Sequence, residues 1–160
     1  AGVFMYVGLL ALTMARHFLG APVEGKMTPT LWVHLAPLSV IPLSMLALLK
    51  TTGDASLLRY GSLVAAAFLG AALWWLVLAV SMTIRNRRQG KLPFALSWWA
   101  FVFPIGACSV LAFRVSELLA LEVLPHVAGG LTLLALFVWS AAALGTARGI
   151  RTGAIFAPAH

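Results

Sequence analysis

Charge is scarce in this chain. Of 160 residues only 9% are Asp, Glu, Lys or Arg, while 62% are hydrophobic; a soluble domain is usually about one-quarter charged. With a mean hydropathy of +1.00, there is too little polar surface to face water on all sides, and the composition predicts a protein of the lipid bilayer. Acids are scarcer still: Glu24, Asp54, Glu117 and Glu122 are the four, and all fall at the ends of apolar runs or between them. No carboxylate pair, metal-spaced His/Cys cluster or phosphate-binding glycine loop is present, so neither an enzyme nor a bound metal or cofactor is expected. Cys108 is the one cysteine, which excludes an intrachain disulfide and a thiolate metal cluster. The net charge of +7 would fit nucleic acid if the basic residues formed a patch. Instead they punctuate the apolar runs, so no nucleic-acid partner is expected.

What is abundant is long apolar sequence, in five runs. They predict an all-α, multi-pass transmembrane protein forming a single domain over 1–160, with helices at about 1–19, 29–49, 56–84, 94–117 and 125–147. Gly20-Ala-Pro-Val-Glu-Gly-Lys-Met-Thr28 carries the Gly, Pro and charge of a loop, with Thr28 as cap and Pro29 as first residue of the second helix. Lys50-Thr-Thr-Gly-Asp54 and Arg85-Asn-Arg-Arg-Gln-Gly-Lys91 are the next two polar links, and Arg148 to His160 forms a polar tail. The first run is short for a complete span and opens without methionine, so the sequence reads as part of a longer chain, its remaining helices supplied by that chain or by a partner.

If all five runs cross the bilayer, one side holds Arg16, Lys26, Arg85, Arg87, Arg88, Lys91, Arg148 and Arg151, and the other Lys50, Arg59 and Arg114. Basic residues concentrate on the cytoplasmic side. The expectation is therefore a plasma (inner) membrane protein with a cytoplasmic C-terminus.

The second and fourth runs then cross in the same direction, and both read Trp-x-x-x-x-Pro: Trp32-Val-His-Leu-Ala-Pro37 and Trp99-Ala-Phe-Val-Phe-Pro104. Pro37, Pro42 and Pro104 are expected to kink these helices in mid-membrane, since proline removes an i→i−4 bond and crowds the preceding turn. Disturbed backbone is tolerated in lipid only where protein or a water path surrounds it, so two similarly broken, parallel helices point to transport. Phe103, directly before Pro104, is the candidate gate.

The stretch Ser97-Trp-Trp-Ala-Phe-Val-Phe-Pro-Ile-Gly106 resembles the penultimate-helix motif of the tellurite-resistance/C4-dicarboxylate transporter family, which includes plant guard-cell slow anion channels and sulfite exporters. Pro29-Thr-Leu-Trp-Val-His-Leu-Ala-Pro37 is similar to that family's earlier inner helix. The resemblance implies a ten-helix fold of five hairpins whose kinked inner helices ring a pore, a homotrimer, and a small anion as substrate: chloride, nitrate, dicarboxylate, sulfite or a tellurite-related oxyanion. The five runs here would correspond to spans six to ten, and Phe103 to the family's pore-occluding phenylalanine. Half of the expected pore wall is absent from this sequence.

Other residues divide between site and scaffold. Ala36 falls where Phe103 falls in the other motif, which makes it a candidate for the pore wall. Ser39, Ser44 and Ser109 either hydrate an anion path or bond their own helix carbonyls. His34, an ionisable group inside a span, either lines the pore or is hydrogen-bonded between helices. Trp98 and Trp99 read as interface anchors, and Arg114 with Glu117 as a self-neutralising pair or an anion-attracting mouth. The alternative function is a haem-binding membrane subunit, for which His34 and His126 lie at opposite depths and only His17 with His34 remain, or an accessory subunit that packs against partners.

Overall fold

A computed structural model of the chain describes residues 2–19, 28–90 and 94–153. It is all-α: α1 (Gly2–Leu19), α2 (Thr28–Val33), α3 (Leu35–Thr51), α4 (Ala55–Arg88), a 3₁₀ segment (Leu96–Phe101), α5 (Val102–Leu119) and α6 (Leu124–Thr152). Four stretches are long and apolar enough to cross a membrane: Leu31–Thr51, Ala55–Arg88, Leu96–Leu119 and Leu124–Thr152. The first loop, Lys91, the tail beyond 153 and the side chains of His17 and Pro29 lie outside the described residues.

α5 is the hub. It packs on α6, α3 and α4, and Ile105, Cys108, Leu111, Ala112 and Val115 along it have no exposed surface. Its neighbour α4 presents Gly61, Ala65, Ala72 and Ala79 on its buried face, small residues that let helix backbones approach closely in a lipid setting where burial of apolar area gives no drive. Gly61 lies against Leu49, and a Cβ there would strike that side chain. α1 is peripheral, touching the core through Tyr6, Leu10 and Met14, one per helical turn.

The ends of the helices are built as the polar links predict. Asp54 caps α4 by accepting from the backbone N–H of Ser56 and Leu57, and Gly153 closes α6 at φ 70°. α5 closes on Ala120 at φ 51°, a left-handed conformation more often taken by glycine. Thr28, expected as a cap, is instead the first residue of α2; it is fully buried and its hydroxyl accepts from the Asn86 amide at 2.7 Å.

The two kinked spans differ from the sequence expectation in one respect. Pro37 and Pro104 do not interrupt helices: each is the third residue of its helix, α3 and α5. In a first helical turn the backbone N–H has no intrahelical acceptor, so proline is accommodated there without losing a bond. The irregularity lies just upstream, at His34 and at the 3₁₀ segment ending on Phe101, three residues before each proline. Thus the 29–49 helix is two helices, the fourth span opens with 3₁₀ turns, and Phe103 is within α5. Pro42 alone of the three lies in a helix interior, and α3 continues through it to Thr51.

Candidate functional site

The backbone break at His34 is held by side chains from the outer helices. Trp75 of α4 donates its indole N–H to the Leu31 carbonyl at 2.7 Å, and Tyr6 of α1 donates its hydroxyl to the His34 carbonyl at 3.0 Å. Carbonyls at a break in a membrane helix have no water to turn to, so donors from neighbouring helices are what make the break tolerable. The His34 ring sits between them, 5.2 Å from the Trp75 ring and 6.2 Å from that of Tyr6.

The two spans are braced alike at their tryptophans. Trp32 donates to Thr83 of α4 at 3.0 Å and Trp99 to Thr146 of α6 at 3.1 Å. Each threonine hydroxyl in turn donates to a carbonyl four residues back, at Ala79 and at Ala142. The breaks therefore sit at one depth, where Trp32 and Phe101 meet edge to face with centroids 5.2 Å apart.

Beyond them, α3, α5 and α6 enclose an open groove of about 780 Å³. Phe103, Val110 and Phe113 of α5, Val40 and Leu43 of α3, and Trp139 of α6 supply its apolar walls. Phe103 is 65% exposed, whereas Phe101, two residues earlier, is 5% exposed. Pro104 and Ile105, which follow Phe103, are buried, so the turn that carries the ring is anchored from behind while the ring itself stands free in the groove.

Of the other residues singled out in the sequence, Ser109 lines the groove, but its hydroxyl is turned to α6: it bonds the Ala128 carbonyl at 2.8 Å and shares a 2.7 Å hydrogen bond with Thr132. Ser39 is fully buried and bonds the Leu35 carbonyl of its own helix at 2.9 Å. Ala36 is half-buried, and neither it nor His34 borders the groove. At the far end, Arg114 and Glu117 pair at 2.9 Å with both side chains more than half exposed, an arrangement of little stabilising value. They flank a pocket shared with Lys50. Among the described residues no group of three or more His, Cys, Asp or Glu is placed to hold a metal. His126 is at that same end, bonded to the Glu122 carbonyl, a full span away from His34.

Sequence reading missed the threonine braces and the contribution of α6 to the groove. The only signal for the braces was the similar separation of Trp from Thr, 51 and 47 residues, in the two hairpins.

The comparisons with known proteins agree with this architecture. Two proteins of Methanocaldococcus jannaschii, each named an uncharacterized transporter, MJ0576 and MJ0762, are both 30% identical to the chain over 156 residues, 98% of its length. Those alignments cover 45% and 46% of the two relatives, so the chain spans about half the length of each. No solved structure matches it. A family model described as "SLAC1: Voltage-dependent anion channel" matches residues 1–147, and the chain, an all-α membrane protein with paired broken helices, belongs to that family of anion channels and transporters.

Proposed function

We propose that this chain supplies about half the wall of a pathway for small anions and that Phe103 is its gate. The observation that carries this reading is the contrast at the start of α5: Phe101 is locked among Trp32 and Trp98, while Phe103 projects 65% exposed into an apolar groove from a helix start pinned by Pro104. A phenyl ring in a narrow apolar passage leaves no room for hydration water and offers no ligand in its place, so an ion passes only when the ring moves. The groove itself holds no charge, and its Ser109 and Thr132 hydroxyls are engaged with the α6 backbone and with each other. Selection would then be weak and electrostatic, arising from the excess of 11 basic over 4 acidic residues at the two ends of the path. Chloride, nitrate, sulfite, dicarboxylates and tellurite-related oxyanions are the candidate cargoes.

On this reading the basic ends of α4 and α6 face the cytoplasm of a cell whose plasma membrane holds the protein. Three copies assemble, and the remaining pore wall comes from helices outside this sequence. The deciding experiment is anion conductance of the full-length protein in liposomes with Phe103→Ala beside Phe101→Ala. A rise confined to the Phe103 variant supports the gate, and equal conductance of parent and variant removes it.

A further inference from the structure

A second space lies on the other side of α6 from the groove, and the proposed pore has no use for it. Residues 132, 135, 136 and 139 of α6 face the groove, whereas Leu134, Phe137, Val138 and Ala141 face a crevice of about 190 Å³ bounded by α4. That exceeds the roughly 150 Å³ apolar cavity that accepts a benzene ring. Its α4 wall is Val80, Thr83, Ile84 and Arg87, spaced i, i+3, i+4, i+7 on one helix face, with the Thr83 hydroxyl engaged by Trp32 and the Ala79 carbonyl, so that the crevice runs about 10 Å along the helix and ends at a guanidinium. Phe101 closes it on the inside. On the outside the flanking surface is apolar, with Ile84 47%, Leu133 69% and Phe137 70% exposed, as befits helix faces in contact with lipid.

Among the described residues the charge at the open end is one-sided. Arg85 and Arg88 accompany Arg87 in the last turn of α4, and Arg148 and Arg151 lie at the end of α6. The described acids, Asp54, Glu117 and Glu122, are all at the opposite end of the bundle, and the one ion pair among the described residues is there too.

We infer that this crevice is a binding site for an anionic phospholipid, one acyl chain lying between α4 and α6 and the phosphate paired with Arg87. An apolar slot that opens beneath positive charge, with none of the described acids at that end, matches that ligand in both parts. A water-soluble anion would have no use for the slot, and a zwitterionic lipid brings an ammonium that the arginines repel. The inference rests on the membrane setting and not on the Phe103 gate, so either can fail without the other.

The test uses the full-length protein, solubilised with an equimolar mixture of phosphatidylglycerol and phosphatidylcholine and weighed with its retained lipid by native mass spectrometry. Phosphatidylglycerol should be retained roughly tenfold over phosphatidylcholine, the scale of one charge-assisted contact. Arg87→Gln should abolish that preference. Ala141→Phe, which fills the slot without altering charge, should abolish it too; Val138→Phe replaces it if the first does not assemble. Arg148→Gln should retain the preference. Equal retention of the two lipids in the parent overturns the inference, as does an Arg148 variant that loses as much as the Arg87 variant. Retention that survives both slot-filling variants, or displacement of the lipid by millimolar inorganic phosphate, overturns it as well.

Discussion

The indole N–H of Trp99 donates to the hydroxyl of Thr146 at 3.1 Å, tying the start of the fourth span to the helix that follows it. Trp32 and Thr83 repeat the relationship one hairpin earlier, at 3.0 Å. In both hairpins the tryptophan stands five residues before a first-turn proline; Trp32 is two residues before the turn at His34, and Trp99 lies within the 3₁₀ segment. The two hairpins are therefore alike in construction, each with an inner span whose tryptophan is tied to a threonine of the outer helix that follows.

The braces should be measurable as pairwise coupling. A double-mutant cycle of Trp32→Phe with Thr83→Val, read by reversible unfolding in mixed micelles, should give about 0.6–1.7 kcal/mol, the range for side-chain hydrogen bonds between membrane helices. The Trp99–Thr146 cycle should fall at or below the lower end, because Trp99 is 39% exposed and Trp32 only 4%. Equal coupling in both cycles would mean that burial does not set the strength of these bonds.

Phe101→Ala and Phe103→Ala should separate stability from gating. Phe101 is buried, with the Trp32 and Trp98 rings 5.2 and 5.9 Å away, so its truncation should cost about 3–5 kcal/mol. Phe103→Ala should cost under about 1 kcal/mol and raise anion conductance several-fold. Conductance and unfolding measured on the same preparations would show whether the two effects part as expected.

At the end of α5, Ala120 holds φ 51° where an L side chain is disfavoured. Ala120→Gly should stabilise the protein by about 1 kcal/mol, because the left-handed conformation loses its Cβ penalty. A lower melting temperature for the variant would show that the methyl group makes a contact worth more than the strain.

Asp54 gives the α3–α4 link a pH dependence. Hydrogen bonds from the Ser56 side chain and then from the backbone of Leu57 and Ser56 hold its carboxyl below the ordinary carboxylate range. Because the folded value is depressed, the cap's contribution is fully present above the unfolded value and is lost as pH falls through the folded one. Between neutral pH and pH 5 the melting temperature of parent minus Asp54→Asn should therefore stay constant, and it should shrink only in more acid solution.

The sidedness proposed from the basic ends can be tested by labelling. With Cys108 replaced by alanine, a cysteine at exposed Gln89 should react with an impermeant maleimide only after the cytoplasmic face is opened, and one at Thr52 should react from outside intact cells. The parent's Cys108, fully buried between helices, should stay unlabelled until the protein is denatured. Labelling of Gln89→Cys in intact cells would invert the orientation.

Composition and hydropathy alone determined that the chain is an all-α membrane protein, because lipid leaves the backbone no partners but its own and so allows few architectures. The Trp-x-x-x-x-Pro pairs were likewise enough to reveal two similar inner spans and to mark the turn that carries Phe103. The sequence could not place the break itself: a proline is compatible with a helix interior or a first turn, and the choice depends on whether another helix supplies a donor to the freed carbonyl, as Trp75 does for Leu31. Nor could it divide the hydroxyls. Ser39 and Ser109 are alike in sequence, but one bonds its own helix and the other the α6 backbone, because rotation about each helix axis is set by which neighbours pack around it. The same packing turns Phe101 inward and Phe103 into the groove, and it opens on either side of α6 two spaces that no run of residues spells out.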